Sequence, residues 1–482
     1  MLDFTSTLLW LIVFSAAFAI AGVVYARRFS SSLEDYIVAR NSQSSLATVL
    51  TLMASSLGAW ILFAPAQAAT WGGLAAVIGY ALGAASPRLL MIPLGSKMRT
   101  LMPQGRSLTE FLYLRYGKPL HALVLLIMVF YLFIALTAEL TAMAKVMQLL
   151  APIPLWVTAS VVMLCTLIYT AFGGLRASIF TDKIQMLIIV PLLLVLVAVG
   201  WRVMGGAGTV IDTLRIEAPQ LINLAEPSGI KAGLTFLLAI LLTGIFHQGN
   251  WQRVYAAKDV RTMRRGFFVG GVLVIPFIFL MGLMGLAFVA QGGNGDASVA
   301  LFEIVLPAAA PWLLVALIPL GLSLVMSSAD TVISAVSSIV AVEGRRLAPN
   351  LPVRRLYGWS RSVIWLFSLP VVFVSAQGYS VLYLFLLADL LCCAAAFPVF
   401  YGLYSQRHDG FNATLGCLAG LAAGLWMFPG PSQPLTTLLE SFLLAIFVPV
   451  AVILVLQGMR RTRERFAWST LQTVVRGLDD RT

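Results

Sequence analysis

The chain has 482 residues, of which 60% are hydrophobic by type and 11% are Asp, Glu, Lys or Arg, with a formal net charge of +12. A soluble globular protein carries about 25% charged and about 45–50% apolar residues, whereas mean hydropathy here is +0.93. A compact soluble chain of this length needs far more polar surface, so a soluble enzyme, a disordered chain and a disulfide scaffold are excluded. What remains is an all-α polytopic membrane protein.

Apolar stretches of about 20 residues predict thirteen spans, at 6–27, 45–70, 73–95, 119–147, 154–172, 179–200, 231–250, 266–290, 312–341, 358–376, 379–403, 411–428 and 436–457. The first lacks a basic lead and a small-residue cleavage site and is followed by Arg27 and Arg28, so it is expected to be a retained helix. Span two (TLMASSLGAWILFAPAQAATWGG) carries Ser55, Ser56, Gly58 and Pro65 at membrane depth. Span four holds Glu139, a candidate structural partner for a neighbouring helix, and Lys145, which can snorkel to the outer interface. Asp182 follows the turn GGLRAS, where a helix N-terminus could satisfy it. The external loop at 201–230 is mixed in polarity and suits short interfacial helices. Span seven (LLAILLTGIFHQGNWQR) contains Thr243, Gly244, His247, Gln248, Gly249 and Asn250. Span nine (SLVMSSADTVISAVSS) sets Asp330 among Ser327, Ser328 and Thr331, and span eleven holds Asp389. The tail RFAWSTLQTVVRGLDD is expected to form an amphipathic surface helix.

The basic residues fall unevenly between the loops. One side collects 26 of the 32, including Arg253 to Arg265 and the tail from Arg460 to Arg481; the other holds Arg202, Arg215 and Lys231. The basic side is cytoplasmic, which predicts an outside N-terminus and an inside C-terminus. The charge is then a topology signal and no nucleic-acid patch. Cys165, Cys392, Cys393 and Cys417 lie in apolar runs without CxxC spacing, so neither disulfides nor a zinc site is expected.

Spans two and seven are five spans apart. Helix breaks at corresponding positions of two halves mark an inverted-repeat transporter with a midplane binding site; the competing explanation is that Gly and Ser merely allow close helix packing. Ionisable groups at this depth cost about 2.5–3.5 kcal/mol or more each. Asp330 is the sharpest of them, because hard cations take oxygen ligands and hydroxyls beside a carboxylate supply them.

Four segments give the chain a family resemblance: YTAFGGLRASIFTDKIQ (Tyr169 to Gln185), GNWQRVYAAKDVRTMRRG (Gly249 to Gly266), VMSSADT (Val325 to Thr331) and EDYIVARNS before span two. Over about residues 30–405 it resembles the sodium/solute symporter family of proline, sialic acid and galactose transporters. The resemblance implies a LeuT-type core of five plus five inverted helices at 31–405, preceded by an extra helix (1–30) and followed by two more (406–458) and a basic tail (459–482). It implies a sodium site with hydroxyls from Ser327 and Ser328 and backbone carbonyls from Ala54, Leu57 and Leu324. Asp182 matches the aspartate of the family's second sodium site, but the hydroxyl positions read Asp330 and Thr331, which leaves a second ion or a proton open. Trp60, Tyr80, Gln248 and Asn250 fall where members contact or gate solute, with structural packing as the alternative for the last three.

The leading expectation is sodium-driven symport of a small polar, amino acid-like solute into the cell across the inner (plasma) membrane, with sodium as coupling ion and no organic cofactor or obligate protein partner. A proton-coupled symporter, a passive facilitator and a solute sensor acting through a partner are the alternatives. No kinase-like segment follows the last span, which disfavours the sensor, and no HExxH or GxSxG motif supports an enzyme.

Overall fold

The computed structural model describes residues 2–29, 32–293, 295–430, 433, 435–459 and 465–474. Among these, eleven helices are long and apolar enough to cross a membrane, and the β-structure is one isolated bridge, Gln43 to Ala257. Two of the eleven change direction within their length. Ala64–Leu101 turns at Gly73 (φ 63°, ψ −161°) and Leu155–Val203 at Gly174 (φ 54°, ψ −145°). Residues with a Cβ rarely take such angles, and a Cβ on Gly174 would meet the Tyr36 carbonyl at 2.2 Å.

Two further interruptions lie inside segments the sequence marks as irregular. Ser45–Ala54 is capped by Ser44 and ends at Ala54; Gly58 is extended, a 3-10 turn spans Ala59–Leu62, and helix resumes at Ala64. In the second half Pro227–Thr243 gives way to a 3-10 turn at Gly244–Phe246, an extended His247 and the short helix Gln248–Ala256. Ser55, Ser56 and Gly58 promote the first break and Gly244 the second, because neither residue type favours the helix interior.

Helix Pro311–Leu347 is central: every residue from Leu320 to Ile339 is buried. Its serines, Thr331 and Asp330 therefore require partners within the protein. It packs on Leu155–Val203 and Lys118–Leu150, while Pro227–Thr243 and Val274–Ala290 pack on Ala64–Leu101. The lead-in segment joins the end of the second break: the Asn41 N–H donates to the Tyr255 carbonyl (3.0 Å), the Gln43 N–H to Ala256 (2.9 Å), and Gln252 Nε2 to Ile37 (2.6 Å). Two of the segments that carry the family likeness thus meet in space. In the tail, Ser469–Val474 is helical and Leu471 is buried; residues 465–468 of the expected surface helix are not helical, and its part beyond 474 lies outside the described residues.

Candidate solute and ion sites

The break at Ser55–Gly58 frees backbone groups of both polarities. On the carbonyl side, Ser327 Oγ donates to the Ala54 carbonyl at 3.1 Å and to the Leu324 carbonyl at 3.0 Å. On the amide side, the Ala59 N–H donates to Glu139 Oε2 at 2.6 Å. Glu139 is almost fully buried, and Gly58 is what lets it approach: a Cβ there would lie 1.8 Å from Glu139 Oε1. One hydroxyl and one carboxylate, from different helices, hold the two ends of the interruption.

Beside the break lies a cavity of about 120 Å3. Ser55, Ser56 and Trp60 line it from the break itself, and Tyr80 and Arg88 from Ala64–Leu101. Tyr131 and Glu139 line it from Lys118–Leu150, and Thr243, His247 and Asn250 from the second break. Ser328 comes from the central helix, and Phe385 and Asp389 from Val381–Phe400. Trp60 stacks on Tyr80 with centroids 5.7 Å apart and meets Phe385 edge-on at 6.0 Å, which makes a flat apolar wall. Adjacent helical residues diverge by about 100°, and Ser327 and Ser328 do so: one faces the end of Ser45–Ala54, the other the cavity.

Asp182 and Asp330 form a separate polar cluster, fully buried. Asp330 accepts from Tyr169 (2.6 Å), Ser178 (2.6 Å) and Thr181 (3.1 Å). Asp182 Oδ2 accepts from Thr51 and from the Arg253 guanidinium at 3.1 Å. Arg253, 1% exposed, also donates Nε to Thr51 Oγ1 (2.9 Å), one amine to the Gly249 carbonyl (3.1 Å) and the other to Thr331 Oγ1 (2.9 Å). Thr331 in turn donates to the Ser327 carbonyl at 2.9 Å, so this cluster reaches the carbonyl side of the break.

Ala54, Leu324 and Ser327 come together, with Leu57 buried in the unwound stretch and Ser328 in the cavity wall. Asp182, Asp330 and Thr331 share one cluster. Trp60, Tyr80 and Asn250 line the cavity. Gln248 stands apart: its amide bonds the Arg106 carbonyl (2.9 Å), the Leu108 N–H (3.2 Å) and Ser338 (3.4 Å), which ties the second break to the loop after Ala64–Leu101. Arg253 is the residue the sequence misdirects. It counts there as a loop cation, yet it is buried against an aspartate 71 positions away. A usable signal was its setting, QGNWQRVYA, among aromatic and apolar neighbours only five residues past Gln248.

The family model described as the sodium:solute symporter family matches residues 36–346. The chain is 27% identical over 423 residues to the spermidine transporter DUR31 of Candida albicans, covering 85% of this chain and 78% of that one. It is 28% identical over 286 residues to the high-affinity proline transporter PutP of Bacillus subtilis, covering 56% and 59%. Its fold is similar to that of a substrate-bound, outward-open Na+-coupled sialic acid symporter, with a TM-score of 0.75 at 16% identity over 96% of this chain and 99% of that one. A multi-pass, all-helical architecture and a matched family model over well over half the chain make it a secondary transporter and no enzyme. The chain belongs to the sodium:solute symporter family.

Proposed function

We propose that the protein couples sodium entry to inward transport of a small polar organic solute across the plasma membrane. The observation that carries this reading is the position of Ser327 Oγ, 3.1 Å from the Ala54 carbonyl and 3.0 Å from the Leu324 carbonyl at a helix break. A broken helix frees carbonyls that a cation can satisfy, and a hydroxyl that turns its proton away adds a lone pair. In this reading Leu57 and Ser328 complete the oxygen set, and Trp60, Tyr80 and Asn250 line the solute site. One sodium moving through 100 mV supplies about 2.3 kcal/mol, a concentration ratio of roughly 50 before the chemical gradient is added.

The same reading takes the core as five plus five inverted helices, with the breaks at Ser55–Gly58 and Gly244–His247 as the corresponding pair. The turns at Gly73 and Gly174 support a count of thirteen crossings, hence an N-out, C-in chain. The test is uptake into proteoliposomes. Ser327→Ala and Ser328→Ala should each raise the sodium concentration for half-maximal uptake about ten-fold. Solute affinity should fall at low sodium and recover at high sodium, because coupling between two ligands is reciprocal. Unchanged sodium activation in the double variant would remove the site from the mechanism.

Proton coupling is the second reading, and one arrangement favours it. Two carboxylates, Asp182 and Asp330, share the interior with a single guanidinium, and Asp182 Oδ1 has no hydrogen-bond partner among the described residues. Uptake driven by a proton gradient in sodium-free medium, and abolished by Asp182→Asn, would establish it.

A further inference from the structure

The cavity wall contains one acidic and one basic side chain, Asp389 and Arg88, that form no ion pair among the described residues. Asp389 is 6% exposed and lines the cavity, yet among the described residues no Lys, Arg or His nitrogen lies within 4.0 Å of its carboxylate. Glu139, the other carboxylate of the wall, is already committed to the Ala59 N–H at the break. Arg88, also in the cavity wall, donates to the carbonyl of Ala84 in its own helix, while its Nε is buried without a hydrogen-bond partner and no carboxylate pairs with it among the described residues. An isolated ionised carboxylate out of water is costly unless something positive meets it. Its neighbours suit a cation: Trp60, Tyr80 and Phe385 form the aromatic wall of the same cavity, and Tyr80 lies within electrostatic reach of Asp389. Ring faces attract ammonium groups, more strongly when both are desolvated.

We infer that the transported solute carries a protonated or quaternary amine, bound with its positive nitrogen between the Asp389 carboxylate and the Trp60–Tyr80–Phe385 wall. The inference rests on the cavity being the solute site. A nitrogen cation can belong to a zwitterion, whose carboxylate would then meet Arg88, or to an aliphatic polyamine, which has no anion to offer it. Neutral sugars and urea leave Asp389 unpaired, and anionic amides bring a third negative group to a wall that already holds two carboxylates. Both are disfavoured.

Binding to the purified full chain separates these cases without relying on ion coupling. Ligand-induced thermal shifts would be measured at saturating sodium for proline, glycine betaine, choline, putrescine and spermidine, with N-acetylproline, glucose and urea as solutes lacking the cation. At least one amine should bind, and its affinity should drop about 10–100-fold in Asp389→Asn, the range expected for losing a charge-assisted contact. Asp389→Glu, which keeps the carboxylate, should recover part of it, and the ligand-free melting temperatures of the variants control for folding. Arg88→Gln should weaken a zwitterion and leave a polyamine unchanged or tighter. Binding of glucose, urea or N-acetylproline but of no amine, or amine binding indifferent to Asp389→Asn, would overturn the inference while leaving the cavity as the site wherever Trp60→Ala still weakens binding. Failure of every amine in the panel overturns it as well, and ligand binding that ignores both Trp60→Ala and Asp389→Asn overturns it together with the assignment of the cavity.

Discussion

Replacing Arg253 by Gln should be among the most damaging single changes in the protein, and the structure says by how much. The guanidinium makes four hydrogen bonds from full burial, to Thr51, Gly249, Asp182 and Thr331, the one to Asp182 being also an ion pair. Solvent screening does not dilute them, since the Arg253 and Asp182 side chains are 1% and 0% exposed. Removing one partner of a buried ion pair costs about 3–5 kcal/mol, mostly because the other charge is left unpaired. Here the abandoned charge is compounded by Asp330, whose carboxylate belongs to the same cluster. Asp182→Asn should cost less, because Asp330 remains as a counter-charge. The double variant Arg253→Gln/Asp182→Asn should be more stable than Arg253→Gln alone by about 1–3 kcal/mol, the coupling expected of contacting residues. Thermal denaturation of the three variants in detergent gives the order directly. A double variant no more stable than Arg253→Gln would mean the pair contributes no coupled electrostatic energy, and the account of this cluster as a buried ion pair would fall.

Gly58→Ala tests the amide side of the break: a Cβ 1.8 Å from Glu139 Oε1 must push the carboxylate off the Ala59 N–H, costing about 1–3 kcal/mol by overpacking and weakening solute binding with it. A wild-type melting temperature would refute the contact. Trp60→Ala and Gln248→Ala, which the sequence groups together, should separate: the first raises the transport KM about ten-fold or more by removing the cavity wall, whereas the second leaves KM unchanged. Gln248→Ala should instead lower stability by about 1–3 kcal/mol, because the Leu108 N–H and Arg106 carbonyl lose their partner in a buried setting. Parallel changes in KM for the two variants would contradict the geometry.

What was legible in the sequence follows from what each signal depends on. Composition and run length depend on the bilayer alone, so the membrane class and the apolar segments could be read directly. The interruptions were legible because Ser, Gly and Pro act locally: the helix stops at Ala54 and at Thr243, inside the two segments where those residues cluster. Ser327 could be singled out only by combining the family resemblance of VMSSADT with the neighbouring Asp330 and the break at Ser55–Gly58, since a hydroxyl in an apolar helix is by itself cheap and common. Arg253 could not, since its burial is decided by Asp182, Thr51 and Thr331, none nearer than 71 positions in the chain. Nor could the two uses of Gln248 and Asn250 be told apart, with only Gly249 between them: one side chain turns to the loop after Ala64–Leu101 and the other to the cavity, because two helical steps rotate a side chain by about 200°. Arg88, Tyr131 and Phe385 were missed for the same reason, since each lies in an apolar run away from the two breaks and becomes part of the cavity only through packing.

If the proposed cation and solute sites hold, the first break also gives a reason for each ligand to be felt at the other's site. Its two ends have opposite polarity, with carbonyls at Ala54 and amide hydrogens at Ala59 separated by four residues. The carbonyl end suits a cation, and the amide end is held by the Glu139 carboxylate. Ser55 and Ser56, between them, line the cavity, and Trp60 extends its wall. A cation drawing the Ala54 carbonyl toward Ser327 therefore fixes the same short segment that positions Trp60, and a solute packed on Trp60 fixes the segment that presents the carbonyl. Neither ligand need touch the other: each lowers the conformational cost of ordering residues 55–58 that the other would otherwise bear. By linkage the effect is equal in both directions, and loosening the shared segment at Gly58 or at Glu139 should weaken the coupling before it abolishes either site.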